Sequence, residues 1–340
     1  MECLLVTGGM GFIGSNFIRF ILNSSLDFKV INVDKLTYAG NPENLKDINE
    51  KYSNKYRFYK TDICDFDAIC KIIRKEKANY IINFAAESHV DRSIDNPILF
   101  CNSNTIGTQI LLNAAKNFNI KKFLQISTDE VYGSLGFDDD PFTEKTLLSP
   151  NSPYSASKAS ADLIVNAYHK TFNVPINITR CSNNYGPYQF PEKLIPLMIN
   201  NALNDKKLPV YGQGINVRDW IYVEDHCQAI LDVLLNGRIG EIYNIGGNSE
   251  IKNIDLIKKI IKLLNKQENL ISFVEDRPGH DLRYAINHEK ITKELGWKPK
   301  IKLEDGLKMT VDWYLNNKEW LKHVITKEYL KYYKKRYKNC

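Results

Sequence analysis

The sequence predicts an α/β protein built on a doubly wound parallel sheet, followed by a smaller C-terminal α/β lobe. Three observations carry that reading. A short apolar strand at the N-terminus runs into a glycine-rich turn and an apolar helix. Further strand-type runs alternate with helical patterns, the arrangement of parallel strands joined by crossover helices. The fifth strand, beginning at Phe123, ends in a hydroxyl and two adjacent carboxyls, Thr128-Asp129-Glu130. Ligands of such sheets bind beyond the carboxyl ends of the strands, so this end reads either as a polar loop opening or as chemistry delivered to a site.

Taken in order, residues 3–6 form the first strand and Thr7-Gly8-Gly9-Met10-Gly11-Phe12-Ile13-Gly14 the turn, with a helix over 12–22 beginning inside it. Glycines at 8, 11 and 14 let backbone approach an anion, and the unpaired N–H groups and dipole of a helix N-terminus stabilise it, which makes a diphosphate cradle. The second strand, 29–33, ends in Asp34. A carboxylate there accepts hydrogen bonds from both ribose hydroxyls and repels a 2′-phosphate, favouring NAD over NADP, while Lys35 beside it pulls the other way. The third strand, 56–60, leads to Asp62, placed for an adenine amino group. The fourth, 79–86, ends in Ala85-Ala86, small enough to leave room for a cofactor, and Glu87-Ser88-His89 follows. His89 reads as a hydrogen-bonded structural histidine in preference to a base. Helical patterns cover 67–75 and 97–117. Glycine fingerprint and alternation together make this half Rossmann-type.

After Gly133 a polar loop runs to Pro150. Its Asp138-Asp139-Asp140 run lacks oxygen-ligand spacing around it and reads as a solvated face, not a metal site. Ser152 as N-cap and Pro153 as first residue open a helix on which Tyr154 and Lys158 share a face. An ammonium beside a phenol is expected to lower the phenol pKa from ~10, making a base for an alcohol that loses hydride to nicotinamide. Helices near 193–203, 223–235, 255–264 and 303–314 and strands near 241–245 and 270–274 follow. The expected division is a dinucleotide-binding domain over 1–182 with a returning segment near 215–248, a substrate lobe from 183–214 and 249–320, and a basic tail over 321–340.

Composition bounds the function. Apolar residues make up 43% and charged residues 25%, ordinary for a globular protein of 340 residues. The balance of 46 basic against 40 acidic residues, +6, is too mild to argue for nucleic acid and suits an anionic small molecule. Between 327 and 338, Lys331, Lys334, Lys335, Arg336 and Lys338 alternate with tyrosines, which favours a solvated helix or tail over a nucleic-acid patch. Seven scattered cysteines without zinc spacing read as reduced, mostly buried thiols. No run approaches the ~18 apolar residues of a membrane span, and a cytoplasmic protein is expected.

Several stretches give the chain, from residue 2 to about 316, a resemblance to the extended short-chain dehydrogenase/reductase family, in its nucleotide-sugar branch. They are residues 7–14, 34–40, 85–91 and 128–133, then Arg180-Cys181-Ser182-Asn183-Asn184-Tyr185-Gly186-Pro187, Asn216-Val217-Arg218-Asp219-Trp220 and Asp276-Arg277-Pro278-Gly279-His280. Sugar epimerases of that branch usually carry small residues where this chain has Asp129-Glu130, so the resemblance implies a dehydratase. It implies roles by position. Phe12 and Ile13 would sit under the NAD diphosphate, with Asp34, Lys35, Leu36 and Thr37 around the adenosine ribose and Asp62 and Ile63 at adenine. Phe84, Ala85, Ala86, Ser88 and Asn184 would also meet the cofactor, as would Ser103, a hydroxyl where the branch has threonine. Ser88, Asn183, Lys193, Leu194, Ile195, Pro209, Tyr211, Arg218, Asn253, Arg277 and His280 would bind the nucleotide sugar. On the residues alone, Arg218 and Arg277 are phosphate forks or interdomain salt bridges.

The implied reaction is NAD-dependent dehydration of a nucleoside-diphosphate hexose, with dTDP-glucose expected and a 4-keto-6-deoxy sugar as product. Thr128 would hold the 4-hydroxyl and Tyr154, tuned by Lys158, would take its proton. Oxidation at C4 acidifies the C5 proton, which Glu130 would remove while Asp129, protonated, serves the departing 6-hydroxyl. NAD, tightly bound, would be regenerated in each turnover. Adjacent strand residues point to opposite faces, so both acids can serve one sugar only if the strand has turned by residue 129. A UDP-glucose 4,6-dehydratase, a 4-epimerase and a non-catalytic NAD-binding regulator are the rival readings. The resemblance also implies a homodimer through helices 97–117 and 153–172, though both could face the core.

Overall fold

The computed structural model describes residues 1–337. Its strands are, in chain order, β1 (Glu2–Thr7), β2 (Phe28–Asp34), β3 (Tyr56–Lys60), β4 (Tyr80–Asn83), β5 (Lys122–Thr128), β6 (Ile176–Cys181), β7 (Asn183–Tyr185), β8 (Leu208–Tyr211), β9 (Val217–Tyr222), β10 (Ile242–Ile245), β11 (Glu250–Lys252) and β12 (Ile271–Val274). Seven form one parallel sheet in the order β10-β6-β5-β4-β1-β2-β3. The order reverses between β1 and β4, and that reversal opens a crevice at the carboxyl edge.

Alternation along β1 shows how the sequence builds the two faces. Leu4 and Val6 join Phe17, Ile18, Ile230 and Val233 in one core, while Cys3 and Leu5 join Ile31, Ile81, Leu111 and Val165 in the other. The helix Val223–Asn236 packs in the first of these cores and leads to β10, so this segment of chain returns to the sheet. β9, by contrast, pairs with β7 and β11 in a separate three-stranded sheet, and β8 pairs with β12. A third core, with Met198, Val210, Ile257, Leu307, Val311 and Trp320, holds the lobe together.

Two expectations need correction. The helical stretch over 97–117 is interrupted by a π segment, Cys101–Ile106, between Pro97–Phe100 and Gly107–Asn117. The basic run is not a solvated tail: Lys327–Arg336 is a helix docked on the body, with Tyr329 buried. Its tyrosines alternate with lysines at helical spacing, so one face is aromatic and turned inward while Lys331 and Lys334 stay in water. Lys338 and Cys340 lie outside the described residues.

Candidate active site

The glycine turn brings the helix Phe12–Asn23 to the crevice with Gly11 as N-cap and no side chain on its first N–H groups. Gly8 has φ +70°, and a Cβ there would stand 2.6 Å from Ala85 N and 2.7 Å from Ala85 Cα. A Cβ on Gly14 would stand 2.4 Å from Gly8 O, whereas one on Gly11 would meet only Gly8 O at 3.3 Å and otherwise fill the cradle. The glycines therefore do different work: Gly8 and Gly14 allow close packing of backbone, and Gly11 leaves space for a ligand. Gly8→Ala is expected to destabilise the fold by roughly 1–3 kcal/mol from backbone strain alone, read as a lowered Tm.

Along the same crevice, Asp34 Oδ2 accepts from Met10 N at 2.9 Å and Oδ1 from Leu36 N at 2.8 Å. Burial pushes its pKa up, and those two N–H groups oppose the shift. Lys35 Nζ lies 2.6 Å from Asp62 Oδ2, so the lysine is turned to Asp62. That pairing weakens the pull toward a 2′-phosphate that its position suggested. Gly8, Gly11, Phe12, Ile13, Gly14, Asp34, Lys35, Thr37, Asp62, Ile63, Phe84, Ala85, Ala86, Ser88, Ser103 and Asn184 all line one cavity. The π segment carries Ser103 to it, and a buried Asn104 holds the segment by bonds to Glu87 and Ser157.

At the far end of that cavity β5 stops at Thr128, and Asp129–Tyr132 forms a 3₁₀ turn. Thr128 Oγ1 accepts from Glu130 N at 3.3 Å, and Gly133, φ +97°, ends the turn. The chain has left strand geometry at residue 129, and both carboxyls line the cavity with Tyr154 and Lys158. Lys158 Nζ donates to Ile126 O at 2.7 Å, and the Tyr154 ring packs edge-on to Phe100 at 6.3 Å.

Electrostatics separates the two acids. Asp129 is 1% exposed, and its Oδ2 is without a partner among the described residues. Burial, with Glu130 and Asp219 adding repulsion, pushes its carboxyl well above the usual range. Burial raises Glu130 too, but Lys193, Arg277 and Arg218 hold it down. Both carboxyls are therefore raised, Asp129 the more strongly, and the cations around Glu130 favour its carboxylate relative to that of Asp129. The raised Asp129 pKa also sets a stability trend. The folded state keeps a proton that the unfolded state releases near the ordinary carboxylate pKa, so stability falls as pH rises from there through the folded value. Asp129→Asn, with no proton to lose, should melt above the parent protein at neutral pH, and the gap should close toward pH ~4.

Tyr154 departs from expectation. Its phenol is pushed well above the usual range, by burial first and then by Glu130, Cys181 and Asp129, with a hydrogen bond to Thr128 as the opposing influence. Burial lowers the Lys158 ammonium. Burial and the nearby carboxyls thus set the direction of the phenol, opposite to the depression that the Tyr154–Lys158 spacing predicts.

A second cavity shares Glu130, Asn183, Glu192 and Lys193 with the first. Leu194, Pro209, Tyr211, Arg218, Asn253, Arg277 and His280 line it. Two of the sequence-derived residues line neither. Ile195 is fully buried in the lobe core, because its helix position faces inward. Leu36, φ +57°, contributes its N–H to Asp34 while its side chain packs on the first sheet core. His89 is buried, accepts from Arg92 N at 3.4 Å, and has its pKa lowered by burial, as suits a structural histidine.

Comparison with known proteins decides between the chemistries this geometry admits. The GDP-mannose 4,6 dehydratase family matches residues 5–310. The dTDP-glucose 4,6-dehydratase 1 of Escherichia coli K12 is 48% identical, covering 98% of each chain. The chain belongs to the dTDP-glucose 4,6-dehydratase family. Among solved members, the Bacillus anthracis dTDP-glucose 4,6-dehydratase, in complex with NAD, superposes with TM-score 0.89 at 52% identity, over 95% of this chain and 100% of that one. The Streptomyces venezuelae dTDP-glucose 4,6-dehydratase, also with NAD, gives TM-score 0.92 at 46% identity, again over 95% and 100%.

For a dTDP-glucose 4,6-dehydratase, the structure adds residues that motif reading passed over. Glu192 accepts from Tyr38 Oη at 2.7 Å and Arg92 Nε at 3.1 Å where the two cavities join. Tyr284 faces the Arg218 guanidinium at 4.3 Å in the second cavity. Neither carries a local sequence signal, since an isolated Glu or Tyr gains meaning only from its neighbours in space.

Proposed function

We propose that this protein dehydrates dTDP-glucose to dTDP-4-keto-6-deoxyglucose, using NAD held in the first cavity. The observation that carries the reading is the 3₁₀ turn after β5, which brings two carboxyls, Asp129 beside other acids and Glu130 beside cations, to the cavity lined by Tyr154 and Lys158. NAD bound there would supply a hydride acceptor for C4 and, once reduced, a hydride donor for C6. The Gly11 cradle and the carboxylate of Asp34 fit its diphosphate and a ribose without a 2′-phosphate. Bound NAD would also bring a positive nicotinium charge, an influence that favours the Tyr154 phenolate against the effect of burial. Thr128 orients the 4-hydroxyl and Tyr154 removes its proton, with Lys158 stabilising the phenolate. Glu130 then takes the acidified C5 proton, and Asp129 gives its proton to the departing 6-hydroxyl.

The nucleotide end falls to the second cavity, where Arg218, Arg277 and Lys193 supply the positive field a diphosphate requires. The same logic supports a dinucleotide-binding domain over 1–182 with a return through the helix Val223–Asn236 and β10, and a substrate lobe around the third core. Incubation with dTDP-glucose and, separately, UDP-glucose tests the reading. A 4-keto-6-deoxy product is expected from the first, with deuterium at C4 recovered at C6. Label lost to solvent removes the internal return, and a 4-epimerised sugar makes the protein an epimerase.

A second copy of the chain is the proposed partner. Ile98, Leu99 and Ile106 on one helical stretch and Leu163 and Phe172 on another are exposed, Ile98 by 70% and Leu163 by 60%. Apolar side chains grouped on adjacent helices suit an isologous interface. Light scattering should give twice the chain mass, and Ile98→Glu with Leu163→Glu should halve it. No helix among the described residues is long and apolar enough to cross a membrane. The free thiols of Cys3, Cys64, Cys70, Cys101, Cys181 and Cys227 support a reducing, cytoplasmic setting.

A further inference from the structure

The C-terminal helix ends on the second cavity, and the reaction described above makes no use of it. Lys327–Arg336 is anchored on the lobe, where Tyr329 Oη donates to Pro191 O at 2.9 Å and its ring meets Phe190 edge-on at 5.7 Å. Its last turn reaches a buried carboxylate. Arg336 Nε donates to Tyr211 Oη at 2.8 Å and stands 3.2 Å from Asp91 Oδ2, to which Tyr211 Oη also donates at 2.8 Å. The other Asp91 oxygen accepts from Arg277 Nη1 at 3.2 Å. Asp91 is 3% exposed and lies on the helix Val90–Asp95, whereas Tyr211 ends β8 and Arg277 follows β12. One carboxylate thus gathers donors from three distant parts of the chain.

Two guanidiniums on one carboxylate leave a net positive charge, and Arg277 keeps a buried Nε without a partner among the described residues while lining the cavity. Tyr337, next along the chain, lines the same cavity, its ring 6.1 Å from that of Tyr211. One turn back, Tyr332 covers the Arg92 guanidinium at 4.1 Å, whose distance to the Tyr38 ring is 3.8 Å. The helix therefore contacts both the helix Val90–Asp95 and the end of β8.

We infer that the end of the C-terminal helix bounds the nucleotide half of the substrate cavity, with Arg336, behind the lining, a positioning residue for the substrate diphosphate and Tyr337 the boundary at its nucleoside end. By sharing Asp91, Arg336 prevents that carboxylate from engaging Arg277 completely, so Arg277 keeps donors and charge for the diphosphate. Without Arg336, Asp91 pairs with Arg277 alone and withdraws it. The inference rests on the second cavity being the nucleotide-diphosphate site.

The test uses the full chain with Arg336→Gln, Arg336→Lys and Tyr337→Ala, measuring KM and kcat for dTDP-glucose, the Kd of thymidine diphosphate, retained NAD and Tm. Arg336→Gln should raise KM and Kd about tenfold with kcat within twofold and NAD retained, the loss of one charge-assisted arrangement. Arg336→Lys should recover part of that loss, and Tyr337→Ala should raise KM severalfold. KM and Kd within twofold of the parent in all three variants overturn the inference, as does a loss confined to kcat or to Tm. The parent protein in the same assay tests the underlying reading separately: without its turnover that reading fails, whereas normal turnover with indifferent variants removes only the role of the helix.

Discussion

Asp129→Asn and Glu130→Gln should each slow formation of the 4-keto-6-deoxy product by about 10²–10⁴-fold, the usual worth of a positioned general acid or base. Oxidation at C4 should survive in both, seen as growth of reduced-nicotinamide absorbance on mixing with dTDP-glucose. The reason is spatial. In the proposed mechanism proton removal at C4 falls to Tyr154 on the helix Pro153–Phe172, while both carboxyls sit on the separate turn Asp129–Tyr132. The two variants should also differ in pH dependence. The proposed elimination needs Asp129 protonated and Glu130 ionised, so activity should fall as pH rises through the raised Asp129 pKa and as it drops through the raised Glu130 pKa. Glu130→Gln should abolish the acid limb and Asp129→Asn the alkaline one. Unchanged turnover in both variants would remove these residues from the elimination.

The second large effect is on stability. Arg180→Leu should cost about 3–5 kcal/mol, because it leaves a buried carboxylate unpaired. Arg180 Nε lies 2.8 Å from Asp162 Oδ2, and the two side chains are 3% and 0% exposed. Arg180 Nη1 also donates to Tyr132 Oη at 2.9 Å, and Tyr132 Oη donates to Asn244 Oδ1 at 2.8 Å. This network ties the end of the catalytic turn to β6, β10 and the helix bearing Tyr154 and Lys158. Replacing both partners, with Arg180→Met and Asp162→Leu, should recover most of the stability, since an apolar pair of similar volume avoids the desolvation cost. Urea unfolding of single and double variants measures the difference. A double variant as unstable as Arg180→Leu would show that the ion pair is needed for more than neutralising Asp162. Turnover by a folded double variant then reports how closely the turn must be held.

The local chemistry of the chain was legible in its order of residues. The strand, the glycines at 8, 11 and 14 and the helix after them are contiguous, so the cradle needed no tertiary information. Asp34 at the end of β2, Thr128-Asp129-Glu130 at the end of β5, and Tyr154 with Lys158 on one helical face are likewise short-range patterns. Hydrophobic periodicity assigns those elements, and a parallel sheet places their carboxyl ends together. Spacing alone could not say that the chain turns at residue 129, although two adjacent acids serving one sugar demanded it.

Tertiary structure decided what depends on surroundings. The resemblance implied which carboxyl is acid and which is base, but the surroundings that favour this come from Asp219 beside Asp129 and from Lys193, Arg218 and Arg277 near Glu130, groups far apart in sequence. The Tyr154 phenol is raised, not lowered, because burial is a property of the packed site and not of the Tyr154–Lys158 spacing. Ile195 left the cavity for the core because a helix assignment does not fix which side meets a neighbouring element. The basic C-terminal run changed most. Its lysines suggested solvent, but its tyrosines bury one helical face against the lobe and bring Arg336 to Asp91. Short-range pattern therefore determined the elements and the reacting groups. Only long-range packing shifted their pKa values and brought the C-terminal helix to the second cavity, because burial and Coulomb interactions depend on distance in space.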